Sequence, residues 1–362
     1  MTAEIAVMNH SAVALAADSA ATRSEVKIFT ANKIFALSKY EPVAAMIYGT
    51  ASCLGVPWET IIKEFRGSLG RDTYTHVADY GEALIDFISR NRILFPENEQ
   101  EQFAFRYAAD KYERIRERIR GLVQEEFARG GSMTEARVGE IVADVIKQRE
   151  EFWKSCPSRG KLPRDFRRRV RERYGDQIRK AHDETFEGLR LYSRLRERLM
   201  RLTLDSWCKC PQHPETGVVL VGFGQSDMFP ALAGYGMDGV LLNRAVHWKS
   251  HDLSVDHKSG PMIVPFAQDD MIRLFVEGVT PAYEAFVESY FEEIISGLNE
   301  MIMTELPASS GAAPMRDRLE KHRNVLLTSL SNNLAKKRRS LYIDPLLSIV
   351  GSLPLDELAS LA

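Results

Sequence analysis

The sequence predicts a mixed α+β fold with strands buried on both faces, and three observations predict it. Short apolar runs bounded by turn residues fill the first fifty positions and return at Gly217. Between these two regions the apolar residues recur with helical spacing instead. Several of the short runs lack polar alternation, which is expected of a sheet covered by a second sheet on one side and by helices on the other.

The elements follow in order. Glu4-Ile5-Ala6-Val7-Met8 reads as a strand, Asn9-His10 as a turn, and Ala12 to Ser19 as the returning strand. A third run, Ile34-Phe35-Ala36-Leu37, opens at Asn32-Lys33, and a fourth, Val43 to Gly49, follows the turn Tyr40-Glu41-Pro42. Two charged residues stand at the ends of these runs: Asp18 closes the second and Lys33 opens the third. After Gly49 the period changes. Trp58, Ile61, Ile62 and Phe65 share one helical face behind Pro57, a residue suited to a first turn where its missing N–H is harmless.

Thr2, the run Val13 to Ser19, Asn32-Lys33-Ile34-Phe35 and Ile47-Tyr48-Gly49-Thr50 together resemble the start of a proteasome β-subunit, a bacterial-type member of the N-terminal nucleophile hydrolases. The resemblance covers about residues 2–66 and 217–290. It implies a four-layer αββα sandwich and assigns four roles. Thr2, freed by removal of Met1, would be the nucleophile, Asp18 the carboxylate, Lys33 the lysine and Gly49 the oxyanion-hole glycine. No cofactor is implied.

The chemistry needs those residue types. A threonine hydroxyl attacks only when a base removes its proton, and an N-terminal threonine carries that base as its own α-amine. A free α-amine titrates at about 7.7–8.0, so a nearby cation such as Lys33 need shift it only modestly to leave it neutral. Asp18 would hold that lysine charged and oriented, and the Gly49 N–H would face the developing oxyanion. A plainer account makes Asp18 and Lys33 a structural ion pair and Thr2 a frayed end.

Residues 72–216 depart from the family and read as a helical insertion projecting from a core made of residues 1–71 and 217–300, with a further helical segment at 301–362. Ser132-Met133-Thr134-Glu135 is expected to cap one of the inserted helices through a reciprocal Ser132–Glu135 box. Between positions 161 and 180, nine Lys or Arg face only Asp165, Glu172 and Asp176; a solvated face paired with acidic neighbours is the expectation, ahead of contact with phosphates. Cys208, Cys210 and His213 offer three soft ligands but lack the fourth a structural zinc needs. His247, His251 and His257 are read as surface residues of a polar stretch.

Past Gly217, Val218 to Gly224 and Pro230 to Gly236 read as paired strands, with a turn at Met237-Asp238-Gly239. Where the family has a Ser-Gly element entering a helix, this chain has Pro265-Phe266-Ala267-Gln268. The family's closing strands have no counterpart near the chain end, so an incomplete sheet with an open edge is expected.

Bulk properties exclude several classes. The 48 Lys plus Arg nearly balance 50 Asp plus Glu, which argues against a nucleic-acid or membrane partner. No apolar run approaches the length of a membrane span, no leader pattern is present, and four cysteines in 362 residues suggest no disulfide framework. The expectation is a cytoplasmic threonine-type hydrolase that cleaves a peptide or protein and forms a homo-oligomer. The alternatives are hydrolysis of a small-molecule amide and a non-catalytic scaffold whose inserted helices contact partners.

Overall fold

The structure, a computed structural model, describes residues 3–18, 20–23, 26–30, 32–130, 134–160, 162–187, 193–210, 216–267, 270–305 and 312–362. It is an α+β protein with antiparallel sheets. The chain divides into two compact units, one of residues 32–253 and one that joins residues 1–31 to 254–362. The second of these begins with the hairpin of β1 (Ala3–Met8) and β2 (Val13–Ala17), followed by the two-stranded ribbon of β3 (Ala20–Arg23) and β4 (Val26–Thr30).

The unit of residues 32–253 is built on a five-stranded sheet. Its strands are β5 (Ile34–Ala36) and β6 (Val43–Tyr48) from the first part of the sequence and β9 to β11 from the last. A short ribbon of β7 (Ser52–Cys53) and β8 (Val56–Pro57) leads into α1 (Trp58–Leu69), which is followed by α2 (Val77–Arg90). Four helices come next: α3 (Glu97–Ala128), α4 (Glu135–Ser155), α5 (Phe166–Thr185) and α6 (Ser193–Trp207). The chain then re-enters the sheet as β9 (Gly217–Gly222), β10 (Ala231–Leu241) and β11 (Arg244–Ser254), giving the order β11-β10-β9-β6-β5.

Every residue of β9 is buried, as its unbroken Gly-Val-Val-Leu-Val-Gly run foretells for a central strand. Two cores form in this unit. In one, Trp58, Ile61, Ile62 and Phe65 of α1 and Tyr80, Leu84 and Ile88 of α2 pack on Val218, Leu220 and Tyr235 of the sheet. Helix α2 lies inside the segment expected to stand apart, yet it covers the sheet. Gly81 permits this approach, because a Cβ there would meet the Tyr235 ring at 2.3 Å. The other core belongs to α3–α6. Ala104, Ala108, Tyr112, Ile115 and Ile119 of α3 recur at spacings of three and four, and the two alanines leave room for Tyr174 and Ile178 of α5 in the same core.

Three local expectations are corrected. Thr134, not Ser132, caps α4: its extended backbone lets the hydroxyl accept from Arg137 N at 3.2 Å, while Ser132 lies outside the described residues. Met237-Asp238-Gly239 is no turn but part of β10, and the reversal falls at Leu242-Asn243, both left-handed at φ 55° and 54°, as a two-residue hairpin demands. His247 and His251 are strand residues of β11 and half-buried.

In the other unit, β12 (Met262–Ala267) pairs antiparallel with β1, so the sheet runs β12-β1-β2. The Pro265-Phe266-Ala267 stretch is therefore the end of a strand, and Gln268 lies outside the described residues. The chain continues as α7 (Asp270–Glu277), α8 (Pro281–Glu305), α9 (Ala312–Arg338), a π-helical turn at Arg339–Ile343, α10 (Asp344–Ser352) and α11 (Leu355–Leu361). Val350 and Leu358 pack on Val7, Ala12 and Ala14. Buried Asn9 locks this contact: its amide donates to the carbonyls of Val350 and Leu353 at 3.0 and 2.9 Å, and its oxygen accepts from Ser11 N and Ala12 N.

Candidate functional site

Of the four expected site residues, Thr2 lies outside the described residues, and β1 begins one residue after it, at Ala3. Asp18 follows the last residue of β2 and is exposed. Ala17 pairs with Glu4, so Asp18 stands one residue past the last pair of the β1–β2 hairpin.

Lys33 and Gly49 belong to the other unit and lie at one end of one strand pair. Lys33 precedes β5, and its carbonyl accepts from Ile47 N at 2.8 Å, which extends the Ile34–Met46 register by a step. Gly49 follows the last residue of β6, with φ at 80°, a conformation that carries the chain sharply out of the sheet. Lys33 is half-buried and Gly49 exposed.

The sequence did not point to what lies next to Gly49. The hydroxyls of Thr50 and Thr216 meet at 2.8 Å, Thr50 Oγ1 bonds the carbonyl of Ser52 at 3.0 Å, and Thr216 Oγ1 bonds that of Tyr48 at 3.1 Å. Both threonines line a cleft of about 490 Å³, within the usual range for small-molecule or side-chain pockets. Tyr107, Trp153, Met237 and Trp248 supply apolar wall and Asp238 a carboxylate. A larger, open groove of about 830 Å³ against α1 and α2, carrying Asp72, Asp79, Glu82 and Asp86, shares no lining residue with the cleft.

The cleft's carboxylate is held from behind. Arg159, with no exposed side-chain surface, donates from one nitrogen to Asp238 at 2.6 Å and to the carbonyl of Lys209 at 2.9 Å. Its guanidinium lies 4.6 Å from the Trp248 ring centre. The lining also carries Arg106, Lys111, Arg114 and Arg149 against Asp110, so the cleft joins an apolar wall to a basic one. No local pattern could have revealed a pair 79 residues apart in sequence.

The remaining candidates resolve individually. Arg168 pairs with Asp165 and Glu172, Arg171 with Glu197, and Arg173 with Glu97 and Glu101, so the basic run is a paired helix face. Cys208 and Cys210 flank the bridge between Lys209 and Ser158, and burial raises both thiols above their ordinary values; His213 lies outside the described residues. Among the described residues no helix is long and apolar enough to cross a membrane.

No protein-family model matches the chain, and no curated protein sequence matches it.

Proposed function

We propose that the chain is a threonine-type N-terminal nucleophile hydrolase of the cytoplasm that cleaves peptide bonds, with Thr2 as nucleophile once Met1 is removed. In this reading the fold is a four-layer αββα sandwich. The observation that carries it is strand pairing: Asp18 directly follows Ala17, which pairs with Glu4 of β1, and Lys33 and Gly49 share one end of the β5–β6 pair. The α-amine of Thr2 takes the hydroxyl proton, Lys33 keeps that amine neutral, Asp18 orients Lys33, and the Gly49 N–H receives the oxyanion. An apolar side chain of the substrate occupies the cleft beside Thr50 and Thr216.

The test is covalent labelling by an electrophile that traps an N-terminal threonine, followed by intact mass. Wild type is expected to lack Met1 and to gain one adduct. Thr2→Ala abolishes labelling and Thr2→Ser keeps part of it. Lys33→Ala slows it most near neutral pH, and the deficit shrinks above about pH 8, where an unperturbed α-amine is already neutral. Equal labelling of Thr2→Ala and wild type, or a retained Met1, rules the mechanism out and leaves the scaffold reading.

A further inference from the structure

Helices α8 and α9 pack against each other as a hairpin, and Arg338 at the end of α9 bonds Glu284 at the start of α8 (2.8 Å) and Glu277 of α7 (3.0 Å), which closes the hairpin at its base. Its outer side carries a run of exposed apolar residues. Tyr283, Phe286, Tyr290, Ile294, Leu298 and Met301 recur along α8 at spacings of three and four, so they form a single stripe. Each is at least 40% exposed, and Met301 reaches 65%. The exposed apolar surface along the stripe is on the order of 600 Å², most of the share of about 800 Å² that one partner brings to an interface of standard size.

Charge says what covers it. Helix α8 holds six Glu and no Lys or Arg, whereas α9 holds seven Lys or Arg against Asp317 and Glu320. Most of these charges are not spent within the hairpin: Glu288, Glu292 and Glu300 of α8 and Arg318, Lys321 and Lys336 of α9 make no ion pair among the described residues. One hairpin thus presents an acidic helix, which carries the apolar stripe, beside a basic one. Such a surface is complementary to itself under a two-fold rotation, because α8 of each copy can lie along α9 of the other. Stacking α8 on α8 alone would bring Glu against Glu, so the charges also select the arrangement.

We propose that the α8–α9 hairpin is a dimerisation surface, on which a second copy of this chain packs its own hairpin to complete a four-helix bundle. The inference does not rest on the catalytic reading, and its test does not use activity.

Sedimentation velocity of the full chain over a concentration series gives the dissociation constant. The wild type is expected to be a dimer whose constant rises with added salt. Tyr290→Glu with Leu298→Glu weakens association by about a hundredfold or more, while circular dichroism and thermal melting show the fold retained. A second pair of variants keeps the stripe intact. In one, Glu288→Lys, Glu292→Lys, Glu293→Lys and Glu300→Lys together leave α8 with two Glu and four Lys, so both helices are basic. In the other, Arg318→Glu, Lys321→Glu and Lys336→Glu together leave α9 with four Lys or Arg against five Asp or Glu, so both are acidic. Each is expected to be monomeric alone, and an equimolar mixture to dimerise. A monomeric wild type, a stripe variant that associates as before, or a mixture that stays monomeric would each overturn the proposal, even if the stripe took up vesicles or an apolar dye.

Discussion

Two helical regions of this molecule treat the same resource in opposite ways. In α3–α6, apolar residues at helical spacing turn inward, and Ile146, Val170, Ile178 and Leu199 are fully buried. In α8–α9 the stripe of the same periodicity faces out. Charges follow suit. The α3–α6 region mixes signs and pairs them across helices, as in Arg198 with Glu150 and Arg137 with Glu126. The hairpin instead separates them by helix. A helix set that satisfies itself needs nothing further, whereas one that segregates its charges and exposes its apolar face is shaped for something outside it.

Placing the same charge in each region gives the largest contrast. Ile146→Glu buries a carboxylate without a partner and is expected to cost about 4 kcal/mol or more, enough to lose the cooperative unfolding transition of its unit. Leu298→Glu, measured by denaturant at concentrations where the chain is monomeric, should stay within about 0.5 kcal/mol of wild type. Comparable losses from the two substitutions would erase the distinction between the regions.

Acid response is a smaller contrast, with opposite signs. Glu284 in the hairpin sits below the ordinary carboxylate value because Arg338 hydrogen-bonds its charged form. Its contribution is present above the ordinary Glu value of about 4.3 and is lost as pH falls through the depressed one. Asp205 of α6 sits above its ordinary value because burial penalises its charge, with Arg167 opposing. Stability at that site therefore rises as pH falls through the raised value, towards the ordinary Asp value of about 3.9. Urea midpoints against pH should show Glu284→Gln removing an acid loss and Asp205→Asn removing an acid gain. Parallel shifts in the two variants would contradict these signs.

Local pattern carried much of the fold and less of the site. The runs at Val43–Tyr48 and Gly217–Gly222 are legible because central strands are apolar on both faces. β11 is not, since as an edge strand it carries Lys249, His251 and Asp252 among its apolar residues, and such a sequence reads as loop. The hairpin stripe reads as core from sequence, because periodicity records which residues avoid water and not what shields them. Among the candidate residues, the positions of Lys33 before β5 and Gly49 after β6 were legible through the turn-and-strand pattern around them. Thr216, Asp238 and Arg159 were not, because their partners lie far away in sequence and neither member of a pair breaks its local pattern.

The pairing of β6 with β9 has a kinetic consequence. Val43 opposes Gly222 and Tyr48 opposes Gly217, so the middle of the sheet closes only when some 170 intervening residues have been gathered in. Closing so long a loop of free chain is slow, whereas the contacts within α3–α6 span shorter stretches of sequence, as between Gln100 and Tyr174, 74 residues apart. A bundle that assembles first shortens the free length between the two strands and turns a distant encounter into a local one. Pulse-labelled amides should accordingly gain protection in α3 and α5 before β9, and simultaneous protection would contradict that order. Folding of the sheet is in this sense delegated to the helices that interrupt it.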